Sequence, residues 1–287
     1  MHLHTPADAD AALPDIAFIG GGNMARSLVG GLLAGGRAPG SIHVAEPFAA
    51  ARAGFATDFG VDAVTDNLDA AARAGVWVIA VKPQVLPDVA RSLAELAQRT
   101  RPLVISIAAG ITSGQLEGWM GGSLPVVRAM PNTPAMLGAG ATGLFANDAV
   151  SPAQRRLAEQ LLGSTGVTAW VECEAQMDAV TALSGSGPAY IFLLAEAMQA
   201  AGEAQGLPAD AARVLALQTI HGAARMLLES GESAADLRLR VTSPDGTTQA
   251  AIETFESGGL RRLVGEAIAA ATRRSRELSA AHGPLSS

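Results

Sequence analysis

A chain of 287 residues that is 49% hydrophobic and only 4% aromatic has room for two ordinary domains, and its 32 glycines and abundant alanines favour close-packed helices over an aromatic-rich β-sandwich. A net charge of −7 gives no general attraction to nucleic acid or to an acidic membrane, so neither is an expected partner. The single cysteine, Cys173, excludes an internal disulfide and a Cys-based zinc site; no metal is expected, and a reducing cytoplasm is the expected location.

In chain order, residues 1–14 read as a flexible leader, polar and Ala/Asp-rich, without the basic start and long apolar stretch of a signal peptide. Residues 16–20 form a buried strand and 23–34 a helix. A second strand at 42–46 leads into an Ala/Arg-rich helix. Residues 76–81 are an apolar strand, 86–98 have helical spacing, and 103–107 and 126–130 are further strands. Continuous apolar strands separated by helices predict a parallel sheet covered on both faces. After about residue 174 the strand pattern disappears. Residues 189–205, 209–229, 247–256 and 260–279 read as helices, parted by Gly206-Leu207-Pro208 and Ser257-Gly258-Gly259. The apolar run 189–194 meets Glu196 and Gln199 too early to span a bilayer. The first of these helices is apolar almost all round, as in a deep core or a subunit interface. Four helices of this size bury little alone, so self-association through this half, at least as a homodimer, is expected.

At the junction of the first strand and the first helix lies Gly20-Gly21-Gly22-Asn23-Met24-Ala25, of the form G-x-G-x-x-A, with Ile19 before it also a candidate cofactor contact. The first Gly permits a tight turn, the second lets backbone approach a pyrophosphate, and the small Ala lets helix and strand pack closely. Helix N-terminal amides then face the anion. A plain glycine-rich turn is the bland alternative; the strand before and the helix after favour a dinucleotide site. Glu46 ends the second strand, where a carboxylate would meet the ribose hydroxyls and repel the extra phosphate of NADP. It reads equally as a solvated strand-end residue, and Arg52 nearby could serve a phosphate. NADH and NADPH both stay open, with Glu46 alone favouring NADH.

Five further segments follow: Ala80-Val81-Lys82-Pro83-Gln84, Ser106-Ile107-Ala108-Ala109-Gly110, Arg128-Ala129-Met130-Pro131-Asn132-Thr133-Pro134, Leu183-Ser184-Gly185-Ser186-Gly187-Pro188-Ala189-Tyr190 and Val241-Thr242-Ser243-Pro244-Asp245-Gly246-Thr247-Thr248, the last reinforced by Glu256-Ser257-Gly258-Gly259. In order and spacing, with the glycine turn, they resemble the pyrroline-5-carboxylate reductase family. The resemblance implies an α/β fold, with an N-terminal Rossmann-like doubly wound sheet followed by an all-helical C-terminal dimerisation domain. The expected boundaries are 15–174 for the first and 175–287 for the second. It implies that Ala80, Val81, Lys82, Pro83, Ile107, Ala108 and Ala109 line the cofactor, that Asn67 lies on its adenosine side, and that Asn132 approaches the nicotinamide. Ser243, Gly246 and Thr247 would hold a substrate carboxylate, and the Thr248 hydroxyl would reach an imine nitrogen. An ordinary helix cap is the alternative for that loop. The family often has Gly where this chain has Asp245, which should then point to solvent or cap the helix. Leu239 stands where many relatives carry a polar residue.

The implied reaction is reduction of Δ1-pyrroline-5-carboxylate to L-proline by NADH or NADPH, in a site shared between the two domains. It needs no activated nucleophile, which agrees with histidines placed near the termini (His2, His4, His282), at a strand start (His43) and within a helix (His221). A β-hydroxyacid dehydrogenase would need a catalytic lysine in the helical half, and Lys82 is the chain's only lysine. A related imine reductase shares the chemistry. A dinucleotide-sensing regulator would need a DNA-binding module or a basic patch.

Overall fold

The structure, a computed structural model, describes residues 14–281. Most of the expected leader, and His2, His4 and His282, lie outside the described residues. The chain divides into two compact units, the first running up to Gly185 and resuming at Thr272, the second being Ser186–Ala271.

The first unit holds strands β1 (Ile16–Ile19), β2 (Ile42–Ala45), β3 (Ala63–Val64), β4 (Val76–Ile79), β5 (Leu103–Ser106), β6 (Val126–Met130), β7 (Gly140–Ala146) and β8 (Gly166–Trp170). They form one sheet in the order β3-β2-β1-β4-β5-β6-β7-β8. Its helices are α1 (Asn23–Ala34), α2 (Ala49–Phe59), α3 (Asn67–Ala71), α4 (Leu86–Thr100), α5 (Ser113–Trp119), α6 (Pro152–Leu162) and α7 (Met177–Val180). Strand side chains alternate between faces. Ile16 and Phe18 enter one core with Val44, Val78 and Ile105 against Leu28 of α1 and Leu161 of α6. Ala17 and Ile19 enter the other with Trp77 and Ile79 against Leu93 of α4 and Leu116 of α5. Strands buried on both faces are apolar throughout, which is why this part was readable as a covered parallel sheet. The Trp77 indole N–H is satisfied by the Ala71 and Ala74 carbonyls at 3.0 and 3.1 Å.

The sheet departs from the wholly parallel arrangement that the sequence predicts. β7 runs antiparallel to β6, and β8 pairs with β7 in parallel. Between β6 and β7 lies a single 3₁₀ turn, Thr133–Leu137. That is too short for the crossover a parallel neighbour needs, so the chain turns back.

The first unit also extends past the boundary expected at 174/175. Val180 sits over Gly143 of β7, where an added Cβ would lie 2.3 Å from Val180 Cγ1, and Gly185 lies against Met130. Further along, the Ser275 hydroxyl donates to Asp178 at 2.7 Å, tying the segment that resumes at Thr272 to α7. A π-helical turn, Thr181–Gly185, follows α7.

The second unit contains α8 (Gly187–Ala204), α9 (Ala209–Glu229), α10 (Ala234–Arg240), α11 (Thr247–Ser257) and the start of α12 (Leu260–Ala281). Pro188 sits in the first turn of α8, where its missing N–H costs nothing. α8 and α9 approach through small residues, Gly202 over Ala212. Among the described residues of this unit the buried apolar side chains are Ala212, Ala216 and Leu237, whereas Ile191, Phe192, Leu193, Leu194, Val214, Leu215, Leu263 and Val264 are exposed. No described helix is long and apolar enough to cross a membrane.

Candidate functional site

The carboxyl ends of β1, β2, β4 and β5 meet at one edge, where the connection out of β1 goes to β2 on one side and the chain later crosses to β4 on the other. Open α/β sheets bind ligands at such a reversal. Ile19, the last residue of β1, is fully buried, and its carbonyl accepts the Ala80 N–H at 2.8 Å. Gly20 has φ +101, and a Cβ there would lie 2.8 Å from the Ala80 carbonyl oxygen, so two backbones touch and only glycine fits. A Cβ on Gly21 would strike Phe55 at 2.7 Å. At Gly22, by contrast, a Cβ would meet nothing within 4 Å. Gly22 caps α1 in an extended conformation with no side-chain hydrogen bond and no acid in the first turn. The opening amides of α1, from exposed Asn23 and partly buried Met24, are therefore uncapped and suited to an anion. Ala25 is fully buried, as close helix–strand packing requires.

Glu46 is not a solvated strand end. It is 7% exposed. Its Oε2 accepts the Gly21 N–H and its Oε1 the Phe48 N–H, both at 2.9 Å. Arg52 Nη1 donates to the Glu46 and Pro47 carbonyls at 2.9 and 2.7 Å. Asn67 opens α3, behind the cap formed by Asp66 on the Leu68 N–H. Ala80 and Val81 follow β4 half-buried, and Lys82 and Pro83 begin the turn into α4, with Lys82 exposed and in no ion pair among the described residues. Ile107 continues β5 and donates to the Ile79 carbonyl at 3.1 Å; Ala108 and Ala109 follow it.

Asn132, the residue expected to approach the nicotinamide, lies just past the end of β6. It is 9% exposed, its Nδ2 donates to the Ser184 carbonyl at 3.0 Å, and its Oδ1 accepts the Ala141 N–H at 2.9 Å. The amide thus bridges the end of β6, β7 and the π-turn. A second polar cluster went unread. Arg128, 7% exposed, donates to Glu174 Oε1 at 3.0 Å, and the same carboxylate accepts the Ser113 N–H at 2.6 Å and its hydroxyl at 3.0 Å. The available signal was a lone arginine inside an apolar strand, which must be paired if buried.

In the second unit, the loop before α11 is also uncapped. Gly246 occupies the cap position with no side-chain hydrogen bond. The hydroxyls of Ser243, Thr247 and Thr248 make no hydrogen bond among the described residues, so the ordinary-cap alternative does not describe this loop. Asp245 has φ +56 and is exposed, its N–H donating to Gln249 Oε1 at 2.8 Å. The departure from Gly is thus tolerated in a left-handed turn with the carboxylate at the surface. Leu239 is exposed on α10. After α11, Arg261 grips Glu256 and holds its carboxyl below the ordinary carboxylate range, chiefly through that side-chain hydrogen bond.

Two family models match: "Pyrroline-5-carboxylate reductase dimerisation" over residues 174–278 and "NADP oxidoreductase coenzyme F420-dependent" over residues 15–110. Pyrroline-5-carboxylate reductase of Pseudomonas aeruginosa is 52% identical over 266 residues, covering 93% of this chain and 97% of that one. The Glycine max reductase is 40% identical over 92% of this chain and 96% of its own length. A solved Coxiella burnetii pyrroline-5-carboxylate reductase superposes with TM-score 0.91 at 47% identity, over 93% of this chain and 99% of that one. The Plasmodium falciparum pyrroline carboxylate reductase with NADP bound gives 0.81 at 27% identity, over 93% and 98%.

Proposed function

The chain belongs to the pyrroline-5-carboxylate reductase family, and from that membership we infer that it reduces Δ1-pyrroline-5-carboxylate to L-proline with NADPH or NADH, the last step of proline biosynthesis. The observation that carries the reading is a pair of uncapped helix starts on one chain: Gly22 at α1, suited to a pyrophosphate, and Gly246 at α11, suited to a small carboxylate. The chain self-associates, and the uncovered apolar faces of α8, α9 and α12 supply a surface for it. We place it in the cytoplasm, a reading that its single, free Cys173 supports, and assign it no nucleic-acid partner in view of its net charge of −7.

When bound, the nicotinamide supplies the hydride that the imine carbon receives. Gly20, Gly21 and Gly22 shape the pyrophosphate turn, and the Asn23 and Met24 amides bind the anion. Glu46 takes the ribose and Asn67 the adenosine side. Ala80, Val81, Lys82, Pro83, Ile107, Ala108 and Ala109 form the wall that orients the nicotinamide and keeps water out. Asn132, held by Ser184 and Ala141, approaches the nicotinamide from the end of β6. Ser243, Gly246 and Thr247 bind the substrate carboxylate, and the Thr248 hydroxyl donates a hydrogen bond at the ring nitrogen, orienting the imine and serving the proton it gains.

The test is nicotinamide absorbance with purified protein and Δ1-pyrroline-5-carboxylate, NADH and NADPH in parallel, with proline identified as product. Folded protein that binds a reduced nicotinamide yet oxidises it with neither substrate nor analogue would refute the assignment.

A further inference from the structure

We propose that Glu46, held by two backbone amides, makes this chain select NADH over NADPH, a step that rests on reading residues 19–24 as the dinucleotide turn. Glu46 lies one residue beyond the Ile19–Ala45 pair of β1 and β2, level with the first glycine of the turn. An acid in that place meets the ribose hydroxyls. A mobile carboxylate could swing aside for the 2′-phosphate of NADPH. This one cannot move without leaving the Gly21 and Phe48 N–H groups short of an acceptor, and it is nearly buried.

Nothing in the loop compensates. Residues 46–51 are Glu-Pro-Phe-Ala-Ala-Ala, which bring no cation, hydroxyl or side-chain amide to a phosphate, and Pro47 has no N–H. The next cation in the chain, Arg52, is anchored through Nη1 on the Glu46 and Pro47 carbonyls. The start of α2 would ordinarily attract an anion, but its capping residue Phe48 already donates to the Glu46 carboxylate. A phosphate carrying about −1.5 to −2 charges would therefore arrive beside a fixed negative charge. The ribose diol of NADH faces no such opposition, because each carboxylate oxygen keeps spare acceptor capacity.

The experiment titrates NADH and NADPH separately, without substrate, into wild type and Glu46→Gln, following nicotinamide fluorescence. Wild type is expected to bind NADH at least roughly tenfold more tightly than NADPH, and the Gln variant to bring that ratio toward one by tightening NADPH. Equal or tighter NADPH binding by wild type overturns the proposal. So does a Gln variant that weakens both cofactors equally, or an Arg52→Ala variant that selectively loses NADPH. Should Glu46→Gln fail to fold, as judged by its circular dichroism melt, the wild-type ratio alone still decides. Binding of neither cofactor would overturn the turn on which the proposal rests. Since no imine is present, these ratios remain readable whether or not the chain proves to reduce Δ1-pyrroline-5-carboxylate.

Discussion

The two units treat their apolar residues in opposite ways. In the sheet unit, β1, β4 and β5 are buried along their whole length, and both faces are closed by helices of the same chain. In the helical unit, α8 carries four consecutive large apolar residues, Ile191 to Leu194, all exposed, and has no buried residue at all. The first unit closes its own core, whereas the second leaves its apolar face uncovered within the chain. If a second copy covers that face, the stability of the helical unit will depend on protein concentration.

The strongest way to break that contrast is within the closed core. Phe18→Ala should cost about 3–5 kcal/mol, measured by denaturant unfolding, because Phe18 is fully buried and its cavity cannot drain to solvent. A loss below about 1 kcal/mol would mean the core is not packed as described.

Next is Phe192→Asp on the exposed face of α8. Sedimentation should show the variant as a smaller species than wild type, since a charge placed in an apolar interface lacks a partner. An unchanged assembly would move the interface elsewhere. At an equally exposed apolar site in the sheet unit, Val167→Asp on β8 should leave the assembly intact.

Third, Thr248→Ala should reduce turnover roughly a hundredfold while leaving nicotinamide affinity nearly unchanged, since Thr248 and the glycine turn belong to different units. Wild-type turnover would remove Thr248 from the chemistry.

The smallest effect belongs to Asp245→Gly. Relieving the left-handed backbone at φ +56 should stabilise the loop by a few tenths of a kcal/mol, up to about 0.5, visible as a slight rise in melting temperature. A marked fall would mean the Asp side chain supports the turn.

Much of the candidate site was legible because its signals are local. A glycine that must adopt φ +101, a helix start without a cap, and a Gly after Pro-Asp each announce themselves within a few residues. Arg128, Glu174 and Ser113 were not legible as a cluster, because their partners are 46 and 61 residues apart in the chain. Asn132 shows the same limit. Its place in the motif was readable, but its bond to Ser184, 52 residues on, was not.

What the sequence determined by itself was the set of strongly periodic elements: apolar strands β1, β4, β5 and β6, the glycine turn between β1 and α1, and long helices bounded by Gly and Pro. Periodicity reports how one element is buried, and turn residues report local backbone angles. Tertiary structure alone decided that Gly140–Ala146 and Gly166–Trp170 are strands. Each opens on a glycine whose role is close approach, as where a Cβ on Gly166 would lie 2.0 Å from the Gly140 carbonyl oxygen. It also decided that the chain from Glu174 to Gly185 joins the sheet unit, and that the Glu46 carboxylate anchors the glycine turn. Each of these depends on which distant backbone a segment meets, a choice settled by packing across the whole unit and written in no single stretch of sequence.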